Sequence, residues 1–277
     1  MIGKINPLSI LLAFLMVVSC QTITTVPVYA QMNFLGKPGL MTIPSAEWII
    51  ERPLGLSFSY IPKEYSKSIN PGANTARGDN TLNFYSVRAG LTDFLEVNFS
   101  LTYRPRIKED IGIGDRQVDF RFKLLQESKW RPQIVLGVTP PGSVAPFMAQ
   151  DYLVMTKNLR SKHDLSYQVI LGYGSPFYIK KNRQKEGFLN QLELARKRDF
   201  YNAQYLTGFF YGGRVAYKNW GGAMVEYNTN TWNFGGYVNI GNTWHFQVYS
   251  FEGNHLAFGA AAAFKLDGKP KELRAYD

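Results

Sequence analysis

The feature that most constrains this chain is alternation. From Leu54 to Phe264 it runs through short segments in which every second residue is apolar or aromatic. In Leu95-Glu96-Val97-Asn98-Phe99-Ser100-Leu101-Thr102-Tyr103 one face of a strand is wholly apolar and the other polar, because successive strand side chains point to opposite sides. A soluble sandwich hides such a face against a second sheet. A lipid-facing barrel needs it unbroken and leaves no sheet edge. The chain therefore reads as all-β, a transmembrane outer-membrane antiparallel β-barrel.

The alternation resolves into about twelve strands, an even number as bacterial single-chain barrels require. They are Leu54 to Ile61, Thr81 to Leu91, Phe94 to Arg104, Arg116 to Gln126, Pro132 to Val138, Ala149 to Leu159 and Asp164 to Tyr173, then Gly208 to Tyr217, Gly222 to Asn228, Trp232 to Ile240, Trp244 to Phe251 and Leu256 to Lys265. Most approach the roughly 9–11 residues that cross a bilayer at barrel tilt. With the N-terminus periplasmic, the inside turns are short (Thr92-Asp93, Glu127 to Arg131, Arg160 to His163, Lys218 to Gly221, Gly241-Asn242). The outside loops include Pro62 to Asn80, Pro105 to Asp115, Thr139 to Met148 and Gly174 to Thr207. Short inside and long outside is the outer-membrane rule, and an even count returns both termini to the periplasm. Trp130, Trp220 and Trp244 fall at or beside the short turns, where an aromatic girdle belongs.

The segment before the barrel looks like an export leader: Lys4, an apolar run from Leu8 to Val18, then two competing processing signals. Val17-Val18-Ser19-Cys20 resembles a lipobox that would make Cys20 a lipidated N-terminus, and Val28-Tyr29-Ala30 resembles an ordinary cleavage site. The organisation expected is 1–30 export signal, 31–53 pre-barrel segment, 54–266 barrel and 267–277 tail. The pre-barrel segment is too rich in Gly and Pro for a helix; it tucks into the lumen as a plug, lies across the periplasmic mouth, or is a mere linker. Cys20 is the only cysteine, so no intrachain disulfide forms. Beyond the leader no stretch supplies the eighteen or so apolar residues of a membrane helix. The net charge of +10 suits anionic partners. For a surface barrel these are lipopolysaccharide phosphates and acidic polysaccharide rather than nucleic acid.

On the face opposite the apolar one, parity puts Glu96, Asp119, Arg121, Lys123, Asp164, Gln168, Arg214, Lys218 and Glu226, acids and bases that neutralise each other as a polar ladder filling the barrel, or that line a path through it. The loop between the seventh and eighth predicted strands carries Lys180, Lys181, Arg183, Lys185, Arg196, Lys197 and Arg198 against Glu186, Glu193 and Asp199. This basic excess is a surface for lipopolysaccharide or an acidic glycan, and Phe188 to Tyr205 is compatible with a short amphipathic helix. Catalytic signals are sparse. His163, His245 and His255 have no zinc-ligand spacing, and parity sends them to opposite ends. No cofactor or metal is expected. The enzyme alternative is an outer-membrane phospholipase or protease, which would need a His gathered with a Ser or Asp. His163-Asp164 after Ser161 reads better as turn chemistry.

Several segments together resemble a known family. Asn33-Phe34-Leu35-Gly36, Gly39-Leu40 and Pro44-Ser45-Ala46 are similar to the opening of the YjbH family of bacterial outer-membrane proteins. Gly114-Asp115 with Val118-Asp119-Phe120-Arg121-Phe122-Lys123-Leu124-Leu125-Gln126-Glu127 resembles its central strand, Asp151-Tyr152-Leu153-Val154-Met155-Thr156-Lys157 its "EYLVxSK" segment, and Gly172-Tyr173-Gly174 the Gly-x-Gly that ends the next strand. Gly208 to Tyr217 and Val225-Glu226-Tyr227 continue the likeness. Asp151 stands where Glu is usual, and Asn228 where an acid often follows. The resemblance implies a non-enzymatic outer-membrane barrel, sometimes a lipoprotein, that assists exopolysaccharide secretion or surface assembly with periplasmic partners in a Gram-negative cell.

Overall fold

The structure is a computed structural model that describes residues 31–62, 81–105, 113–141, 149–160, 164–182, 184–187, 189–197, 206–251 and 253–265. The leader with Cys20, the residues Ser161, His163, Arg183 and Arg198, and the tail 267–277 lie outside the described residues. Among the described residues there is no α-helix and there are fourteen strands. In chain order they are β1 (Leu54–Ile61), β2 (Leu82–Gly90), β3 (Leu95–Tyr103), β4 (Ile113–Leu125), β5 (Gln133–Val138), β6 (Tyr152–Arg160), β7 (Leu165–Gly174), β8 (Phe177–Lys181), β9 (Leu192–Arg196), β10 (Gly208–Tyr217), β11 (Gly221–Tyr227), β12 (Trp232–Ile240), β13 (Trp244–Phe251) and β14 (His255–Phe264).

Twelve of these close into an antiparallel barrel, β1-β14-β13-β12-β11-β10-β7-β6-β5-β4-β3-β2. The seam is β1 against β14, in register from Leu54↔Phe264 to Tyr60↔Phe258. Closure leaves no sheet edge to be capped, and the ladder is irregular only at Leu101/Tyr103 and Lys123/Leu125 among the described residues. The twelve barrel strands are the twelve segments that alternation marks out, and no boundary differs by more than three residues. Because Leu54 pairs with Phe264, the barrel begins and ends at one end, which is also the end with the short links 91–94, 126–132, 218–220 and 241–243.

The remaining strands, β8 and β9, form a two-stranded hairpin outside the barrel, at the opposite, long-loop end. The amphipathic helix expected over Phe188 to Tyr205 is therefore wrong where the chain is described. Leu192–Arg196 is a strand, with Phe177↔Arg196, Ile179↔Leu194 and Lys181↔Leu192 in register. The physical reason is period: Leu192 and Leu194 lie two apart and pair with Lys181 and Ile179 on one face, and no helical spacing offers them a partner.

The strand pattern decides which face is which. Leu56, Tyr85, Val87, Phe99, Leu153, Met155, Leu171, Val215, Val225, Phe234, Val238 and Val248 are exposed on the outer wall. The inner wall carries Arg88, Glu96, Asn98, Ser100, Gln117, Asp119, Arg121, Thr156, Gln168, Glu226, Asn233, His245 and Gln247, all buried. Apolar outside and polar inside inverts the arrangement of a water-soluble protein. Aromatic side chains mark both ends of the outer wall. At the long-loop end Tyr211, Tyr227 and Trp232 meet at ring distances of 5.3–5.5 Å, Tyr60 stacks on Phe258 at 4.7 Å and Tyr173 meets Phe209 at 5.1 Å. At the short-turn end Trp130, Trp220 and Trp244 are exposed.

Candidate functional site

The site is the lumen, and it is filled. Residues 31–49 are buried without exception. This segment folds on itself as two small loops, bridged at Met32↔Pro38 and Gly39↔Pro44. Its backbone bonds include Asn33 N–H to the Lys37 carbonyl (2.8 Å), Phe34 N–H to Met41 (3.0 Å) and Ser45 N–H to Pro38 (2.8 Å). The Asn33 side-chain oxygen accepts from the Leu35 and Lys37 amides, each at 3.1 Å, the local turn chemistry that makes Asn a good residue there. Gly36 has φ +77°, and a Cβ on it would stand 2.2 Å from Ser86 Cβ, so both backbone and neighbour demand glycine.

The apolar side chains of the segment supply one half of an internal core. Phe34, Leu35, Leu40, Met41, Ile43 and Trp48 pack with Phe84, Tyr152, Ile170, Phe210, Tyr249 and Phe251 of the inner wall. Phe34 meets the edge of Phe84 at 5.2 Å. Wall glycines make the room: a Cβ on Gly235 would come within 2.9 Å of Met41 Sδ, and one on Gly212 within 2.9 Å of Leu40 Cδ1.

Polar groups of the wall bind the backbone of the segment. Glu226, fully buried, accepts from the amides of Met41 (3.0 Å), Thr42 (2.8 Å) and Ile43 (3.4 Å), from the Thr42 hydroxyl and from the Asn233 side chain (3.0 Å). Three successive amides around one carboxylate form an anion nest within the chain itself. Opposite, Arg121 donates to the carbonyls of Ser45 (2.8 Å) and Glu47 (3.0 Å) while paired with Glu96. Glu96 also takes Arg88 at 2.6 Å, so one buried carboxylate serves two buried guanidiniums. Arg214 pairs with Glu47 and bonds Gln31, and Gln168 reaches Glu47 at 2.7 Å. Lys37 of the segment pairs with Asp119 at 2.9 Å and donates to Gln150 at 3.2 Å.

Of the residues parity puts inside, Glu96, Asp119, Arg121, Gln168, Arg214 and Glu226 thus all meet the pre-barrel segment or a group that does. Lys123 is half-buried, its ammonium 5.3 Å from the Trp48 ring centroid. Asp164 and Lys218 are corrections. Both are exposed in turns at the short-link end with positive φ (61° and 48°), and they face each other at 3.6 Å. Turn geometry there overrides strand parity. Parity alone missed Arg88, Lys37 and Glu47. The inner face of β2 reads Leu82, Phe84, Ser86, Arg88, too apolar to be recognised as inner, and the other two precede the strands altogether.

The basic loop is also redistributed. Lys180 and Lys185 converge on Glu193 at 3.2 and 2.9 Å, and the hydrogen bond from the Asn182 side-chain amide, with those from Lys185 and Lys180, holds its carboxyl down at about 2. Lys197, expected in the solvated basic excess, is fully buried at the barrel mouth with its ammonium 3.8 Å from Asp151. Burial lowers it to about 8 and raises Asp151, since both lose water. Lys181 and Arg196 remain on the outer face of the hairpin.

His245 is buried against Asn239 at 2.8 Å near the short-turn end, whereas His255 opens β14 at the other. No group of three or more His, Cys, Asp or Glu among the described residues has metal-site geometry.

The fold and site define a closed twelve-stranded antiparallel β-barrel whose own N-terminal segment occupies the lumen. The model of the YjbH family, described as exopolysaccharide biosynthesis protein YbjH, matches residues 31–221, from the lumen segment through the start of β11. The chain belongs to that family. No curated protein matches it. Among solved structures it is similar to the NanC porin in a rhombohedral crystal form, with 9% identity and a TM-score of 0.39 over 77% of this chain and 100% of that one.

Proposed function

We propose that the protein is an integral outer-membrane barrel that assists export or surface assembly of an exopolysaccharide without turning a substrate over. The observation that carries the membrane reading is the outer wall: an exposed apolar surface on all sides, bounded by aromatic residues at both ends, around an interior whose buried charges are paired or hydrogen-bonded. The short-turn end then faces the periplasm, with both barrel termini, and the long loops face outward. The polysaccharide enters the reading through the family's description. Lipopolysaccharide, an acidic glycan and periplasmic secretion components are the partners this location offers.

A filled lumen narrows the role. Residues 31–49 are buried inside the barrel, so it acts closed, as a surface or assembly component, or conducts after this segment leaves. Among the described residues His245 meets Asn239 rather than a nucleophile, which gives the hydrolase alternative no support there. The test is a deletion strain assayed for secreted and cell-bound polysaccharide, complemented by the full chain. Loss of polysaccharide with restoration is expected. Unchanged polysaccharide would refute the role, and lipid or peptide cleavage by the purified protein would replace it with catalysis.

A further inference from the structure

Two residues separate the β8–β9 hairpin from Gly174, the end of β7, and the residue before that glycine, Tyr173, pairs with Phe209 in the aromatic belt. In an outer-membrane barrel such a belt marks the boundary between hydrocarbon and headgroups. The hairpin therefore stands at phosphate depth, a position that rests on the membrane reading proposed above.

Its two faces differ in kind. The inner face is anchored: Tyr178 is buried, Lys197 is sealed against Asp151, and the Lys197 amide donates to the Pro176 carbonyl at 2.9 Å. The outer face joins Phe177, Ile179 and Leu194, all exposed, Leu194 by 70%, to Lys181 and Arg196. Arg196 lies 5.9 Å over the Phe177 ring. Glu193, the acid within the hairpin's strands, is turned away from this face, because it pairs with Lys180 and Lys185 on the other side of the register. What is left outward is an apolar patch with two cations, neither paired with a carboxylate among the described residues.

We infer that this outer face binds a phosphorylated, acylated lipid of the outer leaflet, with acyl chains against Phe177, Ile179 and Leu194 and phosphate on Lys181 and Arg196. An acidic glycan would match the two cations but would leave Ile179 and Leu194 in water. A neutral lipid would match the apolar residues but not the cations. Only an anionic lipid uses both, and depth and charge complement each other there.

The experiment is native mass spectrometry of the full chain in detergent at low ionic strength, titrated with bisphosphorylated hexa-acylated lipid A, with the same lipid stripped of phosphate, and with polygalacturonate. The inference expects saturable binding of the phosphorylated lipid. Binding should weaken on the order of tenfold in the Lys181→Gln/Arg196→Gln double variant, and comparably for the stripped lipid. Ile179→Ser/Leu194→Ser should weaken it too. All substituted residues are exposed and outside the barrel, and retained heat-modifiable migration will show each variant folded. Equal binding by parent and variants, indifference to phosphate, or displacement of the lipid by polygalacturonate would overturn the inference. Insertion of the parent into phosphatidylcholine vesicles is measured in parallel. Failure to insert would overturn the membrane reading and the inference with it, while insertion without phosphate-dependent binding would overturn the inference alone.

Discussion

Removal of the Glu226 carboxylate should release the lumen segment while sparing the barrel. In Glu226→Ala the amides of Met41, Thr42 and Ile43, the Thr42 hydroxyl and the Asn233 amide all lose their acceptor. A buried donor left without a partner costs about 1–3 kcal/mol, and bonds to a charged group are the stronger ones. Three backbone donors would sum to roughly 3–9 kcal/mol, but water entering the vacated space recovers part of this, and loss of the buried charge's own desolvation recovers more. A net loss of about 3–4 kcal/mol in docking is the working figure, which is a factor of roughly 10² to 10³ in the docked-to-released ratio. The assay is amide hydrogen exchange of a peptide covering residues 31–49 in the detergent-solubilised protein, with peptides from β3 and β13 as internal controls. Exchange should accelerate by about that factor in the segment and stay unchanged in the strands. Unchanged exchange in the segment would refute the argument that this carboxylate holds it. Equal acceleration in β3 and β13 would show that segment and wall unfold together.

Other perturbations separate the parts of the account. Glu96→Ala leaves Arg88 and Arg121 buried without their counter-ion, which should cost about 3–5 kcal/mol and abolish heat-resistant migration; normal migration would contradict it. Phe99→Arg places a charge on the outer wall near mid-strand and should cost about 2–4 kcal/mol in assembly into vesicles, against little for Phe99→Leu; similar yields from both would mean that this wall does not face lipid. Lys197 should titrate near 8 by NMR of a ¹³C-labelled side chain. Because its folded value lies below the ordinary 10.5, docking of the hairpin base strengthens as pH rises from about 8 to 10.5, where the released state still binds the proton; a midpoint above 10 would show Lys197 in water.

Much of this is legible in the sequence because a barrel wall is a local code. Each strand alternates for its own length, and β1, β10, β12 and β13 have the same bounds in sequence pattern and structure. The β8–β9 hairpin escaped because its strands are five residues each, interrupted by Asn182 and Gly187 and loaded with Lys and Arg, so charge masked a period of two. Long-range pairing hid most of the interior. Glu226 holds amides more than 180 residues before it, and Arg214 meets Glu47 167 residues away; no spacing rule connects such partners. Parity located Arg121 and Glu226 on the inner wall, but their partners are backbone groups of a Gly- and Pro-containing segment whose docking has no periodic signature. One consequence follows for Ser100. Parity alone makes an inward Arg at this position better tolerated than an outward one at Phe99, whereas the fully buried Ser100 leaves no space for one in a filled lumen.

Planar-bilayer recording distinguishes a membrane barrel closed by its own residues 31–49 from one that stands open. The full chain, reconstituted at low protein density, should insert without stable conductance steps, while a variant lacking residues 31–49 should give discrete, long-lived steps of one size. Steady open conductance from the full chain would contradict the account, and so would a deletion variant that assembles in the bilayer and stays silent.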